Sequence, residues 1–240
     1  MRTRIAAKRC LGLRRPAQAV RRVLMLLLLQ TPTWLFSGCP YGGGPYGGGP
    51  FGIDHEWPYR DGGIWKRDYQ EAIQYGLIGV ELCGGLWYGG ETLLGRTFWQ
   101  SIDASAASGV VAQLIKHTFS RVRPVDSGSG GDPDLWFKGS GNASFPSAEV
   151  GETSSIVTPF VLQYGGENPA VYVLTLLPAY DGIARMKVQA HWQSDVIAGF
   201  ALGTALGWLV FRNRGKPFLL RLMPRSIDGG LANNLRRPRR

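Results

Sequence analysis

Between residues 65 and 212 the apolar positions of this chain fall into long segments punctuated by glycine and proline, and the segments read as helices. The pattern predicts a helix-rich stretch over 65–89, broken around Gly84 and Gly85, and a longer helix over 98–121. A glycine-rich loop, 126–141, carries Trp136 and Phe137, and these aromatics either pin the loop or touch an apolar ligand. Helix resumes at 147–164 with Pro159 kinking it, turns at 165–169, and continues over 171–190 with a break near Gly182. The last core helix is 193–212, where Gly199, Gly203 and Gly207 recur every fourth residue, a spacing that lets two helices approach closely. The expected fold class is all-α, a compact helical bundle.

Ahead of this body the polarity changes abruptly. An arginine-rich start up to Arg22 precedes VLMLLLL and QTPTWLF, and Phe36 to Cys39 read FSGC. A basic region, a short apolar run and small residues before a cleavage point describe an export signal. The FSGC ending resembles a bacterial lipoprotein box, which makes Cys39 the lipidated residue. Arg21–Arg22 also permits twin-arginine export, and an uncleaved anchor is the plain alternative. Cys10 would be lost on cleavage, leaving Cys83, in an apolar run, to be read as a small buried hydrophobe. PYGGGPYGGGPFG at 40–52 has too little apolar surface to build a core and reads as a tether. Neither the last helix nor 72–90, interrupted by Glu81, reaches the roughly twenty apolar residues of a membrane span. The domain is therefore expected outside the bilayer on a lipid anchor, exported to the periplasmic or envelope side, with an integral membrane form as the alternative.

Charge changes the choice of partners. The formal net charge is +10, but residues 1–38 hold eight basic side chains and residues 212–240 hold nine. That leaves 39–211 with ten basic and sixteen acidic side chains, so the body is acidic and nucleic acid is not the expected partner. Basic tails suit targeting or an anionic membrane surface.

The candidate chemistry lies in three runs: KHTFSRVRP from Lys116, SFPSAE from Ser144, and ARMKVQAHWQSD from Ala184. They gather three strong cations, a turn opening a helix, one histidine and a carboxylate four residues on. Guanidinium and ammonium groups screen the oxygens of a phosphoryl group, a helix start donates N–H groups to another, and a histidine held by a carboxylate can attack phosphorus. Lys116, Arg123 and Pro124, then Pro146 and Ser147, then Arg185, His191 and Asp195 resemble the three signature motifs of the type 2 phosphatidic acid phosphatase superfamily. That superfamily also holds bacterial acid phosphatases and vanadium haloperoxidases. The resemblance spans roughly 95–212.

It implies a helical bundle of the acid phosphatase and haloperoxidase type. His191 would be the nucleophile of a phosphohistidine intermediate, with Asp195 orienting it. Lys116, Arg123, Ser147, Ala148 and Arg185 would bind the phosphoryl oxygens. Two positions depart from the pattern: Ala184 replaces a serine, and Glu149 replaces the histidine that protonates the leaving group. Glu149 serves as that acid if it carries a proton and impairs the site if it is ionised. His117 is expected to point away, Arg121 to face elsewhere, and His55 to stand apart.

Three histidines without paired carboxylates at ligand spacing offer no metal site, and the resemblance implies no metal or other cofactor. The expected activity is a metal-independent phosphomonoesterase or lipid (di)phosphate phosphatase, with a phosphorylated small molecule or lipid as substrate. The alternatives are a phosphate-binding lipoprotein without turnover and a vanadium-dependent haloperoxidase. The expected division is signal 1–38, tether 39–62, helical domain 63–212 and basic tail 213–240.

Overall fold

The computed structural model describes residues 48–128, 131–139, 141–213 and 215–232. The expected signal, Cys39, the first part of the expected tether and the basic terminus from 233 lie outside the described residues. Five long helices build the domain: α1 (Arg67–Tyr88), α2 (Leu93–Phe119), α3 (Ala148–Tyr164), α4 (Leu176–Lys187) and α5 (Gln193–Arg212). Two short ones follow, α6 (Phe218–Leu222) and α7 (Arg225–Asp228). A 3-10 segment, Pro169–Thr175, leads into α4. Among the described residues there is no strand, only an isolated bridge between Gly48 and Asp54.

Helix α3 is central and packs on α5, α2 and α4. The expected glycine stripe makes the α3–α5 seam. A Cβ at Gly203 would stand 2.0 Å from Gly151 O, and one at Gly199 2.4 Å from Ser147 O, so backbone lies on backbone. The breaks expected at Gly84–Gly85 and Gly182 do not occur, because those glycines receive a neighbour rather than end a helix. The Phe98 ring fills the space beside Gly84, Trp99 Nε1 donates to Gly85 O at 2.9 Å, and Val196 faces Gly182.

Side-chain polarity runs inward. Ser101, Ser108, Thr153, Ser154, Ser155, Thr158 and Glu81 are buried between helices. Tyr75, Leu82, Leu86 and Trp87 of α1, Val110 and Leu114 of α2, and Ile197 and Leu209 of α5 are exposed. Cys83 joins this outer face and is exposed, not buried as expected, because α1 turns the carboxylate of Glu81 to the core and the apolar run outward. Contrary to the length read from sequence, α5 is, with 20 residues, long and apolar enough to cross a membrane by length and composition.

Both flanks add to the domain. Asp54 and Trp57 are buried, Trp57 packing with Val150, Met186 and Val196. Gln193 exchanges hydrogen bonds with the backbone of His55, and Gln189 donates to Glu56 and to Trp57 O. Downstream, Leu220 packs on Trp99 and Ile102, and Asp103 accepts the N–H groups of Phe218 and Leu219. Stretches whose composition reads as tether and tail thus contribute apolar anchors.

Candidate active site

The site forms where α2 ends and α3 and α5 begin. Helix α2 closes at Ser120, whose left-handed backbone (φ 40°) reverses the chain. Lys116, in the last turn, is buried and donates from Nζ to Ala143 O at 2.6 Å. The next residue, His117, points to solvent as expected. Beyond Ser120 the chain is extended through Arg123 into Pro124, the conformation a following proline favours. Arg123 lies within electrostatic reach of both Lys116 and His191.

Helix α3 opens at Ser147, whose N–H donates to Asp195 O at 2.9 Å, so the second and third motifs touch directly. Ser147 Oγ is buried with no hydrogen-bond partner. The N–H groups of Ala148 and Glu149 form the first turn behind it, where the helix dipole favours an anion.

His191 sits in the turn between α4 and α5, almost wholly buried. Its Nδ1 is 3.7 Å from Asp195 Oδ2. That exceeds a hydrogen bond, and Nδ1 has no hydrogen-bond partner. Burial holds the imidazole pKa down to about 4, against the opposing pull of Asp195, and the charges of Lys116 and Arg123 push the same way as burial. The ring is therefore neutral at pH 7, the form in which it is a nucleophile.

Asp195 is held from four sides. Arg121 Nη1 donates to Oδ1 at 2.6 Å, while Ser144 Oγ at 2.5 Å and Trp192 N at 2.9 Å donate to Oδ2, with His191 beside it. Arg121 does not face elsewhere. Its helix ends before it, so the helical rotation that would turn it from Arg123 does not apply. Its guanidinium is fully buried against Trp136, 4.2 Å from the ring centroid, and Nη2 donates to Asp54 Oδ2 at 2.6 Å. Asp54 also accepts Ser194 N at 2.7 Å and Ser194 Oγ at 2.6 Å, which caps α5. Burial raises the Asp54 pKa, offset by Ser194 and Arg121. His55, next in sequence, turns its ring to Ile53 O and takes no part.

The loop aromatics divide in role. Trp136 packs with Phe119 and Phe145 and roofs Arg121, so it pins the loop. Phe137, at φ 57°, is exposed.

Glu149 meets two guanidinium groups. Arg67, from α1, grips it with both forks, Nη1 to Oε2 at 2.9 Å and Nη2 to Oε1 at 3.0 Å. Arg185 Nη1 is 3.2 Å from the same Oε2, while Arg185 Nε is buried without a partner. Both oxygens of Glu149 are thus acceptors. The structure gathers Lys116, Arg123, Ser147, Ala148, Glu149, Arg185, His191 and Asp195 into one region. It adds Arg67 and Asp54, which no motif contains, and Arg121, which lies inside the first run at a position the motif does not specify. Asp54 and Arg67 are single charged residues in unremarkable surroundings, and only tertiary packing gives them a role.

Known proteins align with the same region. The model of the PAP2 superfamily matches residues 98–218. Over 105 residues the chain is 30% identical to the Lipid A 1-phosphatase of Porphyromonas gingivalis, covering 43% of this chain and 21% of that protein. The chain thus spans about a fifth of that relative's length. A transmembrane PAP2-type phosphatidylglycerolphosphate phosphatase from Bacillus subtilis superposes with a TM-score of 0.45 at 17% identity, covering 81% of this chain and 93% of that one.

Proposed function

The chain belongs to the PAP2 superfamily, and from that premise we propose that it is a phosphatase acting on a phosphorylated lipid, with His191 as nucleophile. The observation that carries this reading is a buried imidazole beside Asp195, within electrostatic reach of Lys116 and Arg123 from the first motif. In the proposed reaction Lys116, Arg123 and Arg185 hold the phosphoryl oxygens. Ser147 Oγ and the N–H groups at the start of α3 complete the cradle. The unpartnered Ser147 Oγ and Arg185 Nε support that assignment, since buried polar atoms ordinarily have partners.

His191 attacks phosphorus to give a phosphohistidine, while Asp195 stabilises the charge that develops on the imidazole. Preorganised cations supply the transition-state stabilisation, so the reaction as proposed needs no metal. Glu149 takes a role different from general acid. Clamped by Arg67 and Arg185 it is arranged as a carboxylate, and it accepts the proton of the water that hydrolyses the phosphohistidine.

A lipid substrate is supported by polarity. Apolar side chains cover the outer faces of α1, α2 and α5 while small polar groups fill the interfaces between helices, the distribution of helices packed in a bilayer. The domain is proposed to lie in the membrane, with or without lipid on Cys39.

Phosphate release from p-nitrophenyl phosphate and from a lipid phosphate, compared between parent and His191→Ala, tests the activity. Release that disappears in the variant supports the enzyme. Phosphate bound but never released from an ester would leave a binding protein.

A further inference from the structure

We infer that Asp181 stores the proton that the leaving alcohol takes, passing it through Glu149 and recovering it when water cleaves the phosphohistidine. The inference deepens the phosphatase reading and rests on it. That reading needs a proton in its first step, because an ester oxygen departs poorly as an alkoxide. The groups around Glu149 do not offer one. Arg67 and Arg185 keep their protons at any working pH, and Glu149 itself accepts from both of them.

Asp181 stands on α4 four residues before Arg185, on the same face of the helix. It is 3% exposed, and its Oδ2 is buried with no hydrogen-bond partner. A buried polar atom is rarely left so. The charged groups within electrostatic reach of it are Glu149 and Glu152 from α3 and Arg67 from α1. Arg67 forks onto Glu149, and Gln74 Nε2 donates to Glu152 Oε2 at 2.8 Å. Neighbouring carboxyl groups in an interior do not all ionise, and one of them retains a proton. Glu149, gripped by guanidinium groups, keeps the charge. Asp181 Oδ2, which no donor reaches, keeps the proton. A phosphoryl group that binds Arg185 draws it from Glu149 Oε2, and that oxygen is then free to take the proton of Asp181. The mechanism proposed above leaves Asp181 without a use, and this is the use its surroundings fit.

With a monoester the cycle balances as follows. The bond from His191 Nε2 to phosphorus forms as the bond from phosphorus to the ester oxygen breaks. The electron pair stays on the ester oxygen, which takes a proton from Glu149 as Glu149 takes one from Asp181, and the alcohol leaves. Asp181 and Glu149 are now both ionised, a pairing that draws a proton from the water attacking the phosphohistidine. That proton passes to Glu149 and on to Asp181. The phosphorus–nitrogen bond breaks with its electron pair returning to His191, and inorganic phosphate leaves.

The test compares dodecyl phosphate, whose alkoxide needs a proton to leave, with p-nitrophenyl phosphate, whose phenolate leaves without one. Phosphate release in detergent micelles is measured for the full chain, for Asp181→Asn and for Asp181→Ser. Asp181→Asn, nearly the same shape and without the acid, should lower kcat/KM for dodecyl phosphate by about 10²-fold, the low end for a lost general acid. For p-nitrophenyl phosphate it should fall far less, so the ratio of the two substrates collapses. Asp181→Ser, which is smaller, should show the same collapse and carries the comparison if Asp181→Asn does not fold. An equal fall with both substrates, no fall with dodecyl phosphate, or failure of both variants to fold would make Asp181 a structural residue and overturn the inference, leaving the phosphatase standing. No release by the parent from either substrate above the His191→Ala blank overturns the phosphatase reading and this inference with it.

Discussion

Arg121 Nη1 donates to Asp195 Oδ1 at 2.6 Å, and both side chains are shut off from solvent. The same guanidinium binds Asp54 Oδ2 at 2.6 Å, so one buried cation stands between two buried carboxylates. Such a charge is tolerated only while paired. Arg121→Met would leave Asp54 and Asp195 facing each other with only Ser144, Ser194 and backbone N–H groups to hold them. Removing one partner of a buried pair costs roughly 3–5 kcal/mol, and that loss is the outcome expected in denaturant titration of the variant in micelles.

Asp54→Asn is a gentler probe. The amide oxygen still accepts from Ser194, but the charge is gone, and Arg121 then leans wholly on Asp195. Asp195 would hold the His191 imidazolium less well at the moment of attack. The expected result is a fall in kcat of about tenfold, the lower end for groups that orient a reacting residue from behind, with KM unchanged within about twofold. A fall in kcat and a rise in KM together would mean a general loss of structure instead.

Most of the helices are legible in the sequence because apolar segments end at glycine or proline, and α5 matches its expected bounds. The errors have a common cause. Gly84, Gly85 and Gly182 read as breakers, since a glycine that ends a helix and one that receives a neighbouring ring look alike in one dimension. Cys83 reads as buried because apolar means interior in water, and in α1 the outward face is the apolar one. The motif residues could be placed together by resemblance, whereas Asp54 and Arg67 belong to no motif and Arg121 stands at a position the first motif leaves unspecified. Arg121 was hidden by a helix end expected at residue 121, when Ser120 already has the left-handed turn that frees it.

On the proposed mechanism His191 sets the acid limb of activity. The attacking imidazole must be neutral, and burial keeps its pKa near 4, well below the ordinary 6.5. The neutral fraction is therefore full above pH 6.5 and is lost only as pH falls through about 4. The profile of kcat/KM for a substrate whose own ionisation is accounted for should stay level from pH 7 to 5 and drop near 4. The same shift favours the folded state at neutral pH, because between 6.5 and 4 the unfolded chain binds more protons. A limb centred near 6.5 would mean that water reaches the ring.

Gly203 tests the α3–α5 seam that carries Ser147 and Asp195 toward each other. A methyl group there meets Gly151 O at 2.0 Å, and neither backbone can yield without moving its helix. Gly203→Ala should cost at least the roughly 1–3 kcal/mol of an overpacked core and should lower activity by parting Ser147 N from Asp195 O. Ala205→Ser, on the exposed side of the same helix, is the control, expected within about 0.5 kcal/mol of the parent.

The outward faces decide between a domain in the bilayer and one tethered beside it. Val80 on α1 and Val110 on α2 lie well inside their helices and are both exposed, at 59% and 63%. In water a lysine at either position would be close to neutral, within about 0.5 kcal/mol, as for most surface changes. In hydrocarbon it would cost about 2.5–3.5 kcal/mol near the middle of a spanning helix. Val80→Lys and Val110→Lys should therefore reduce the amount of protein that stays in the membrane pellet after alkaline carbonate washing. Cys39→Ser, which would remove any lipid carried there and leaves both faces intact, should not. If the lysine variants pellet like the parent and Cys39→Ser washes off, the helices stand outside the bilayer and the anchor alone holds them there.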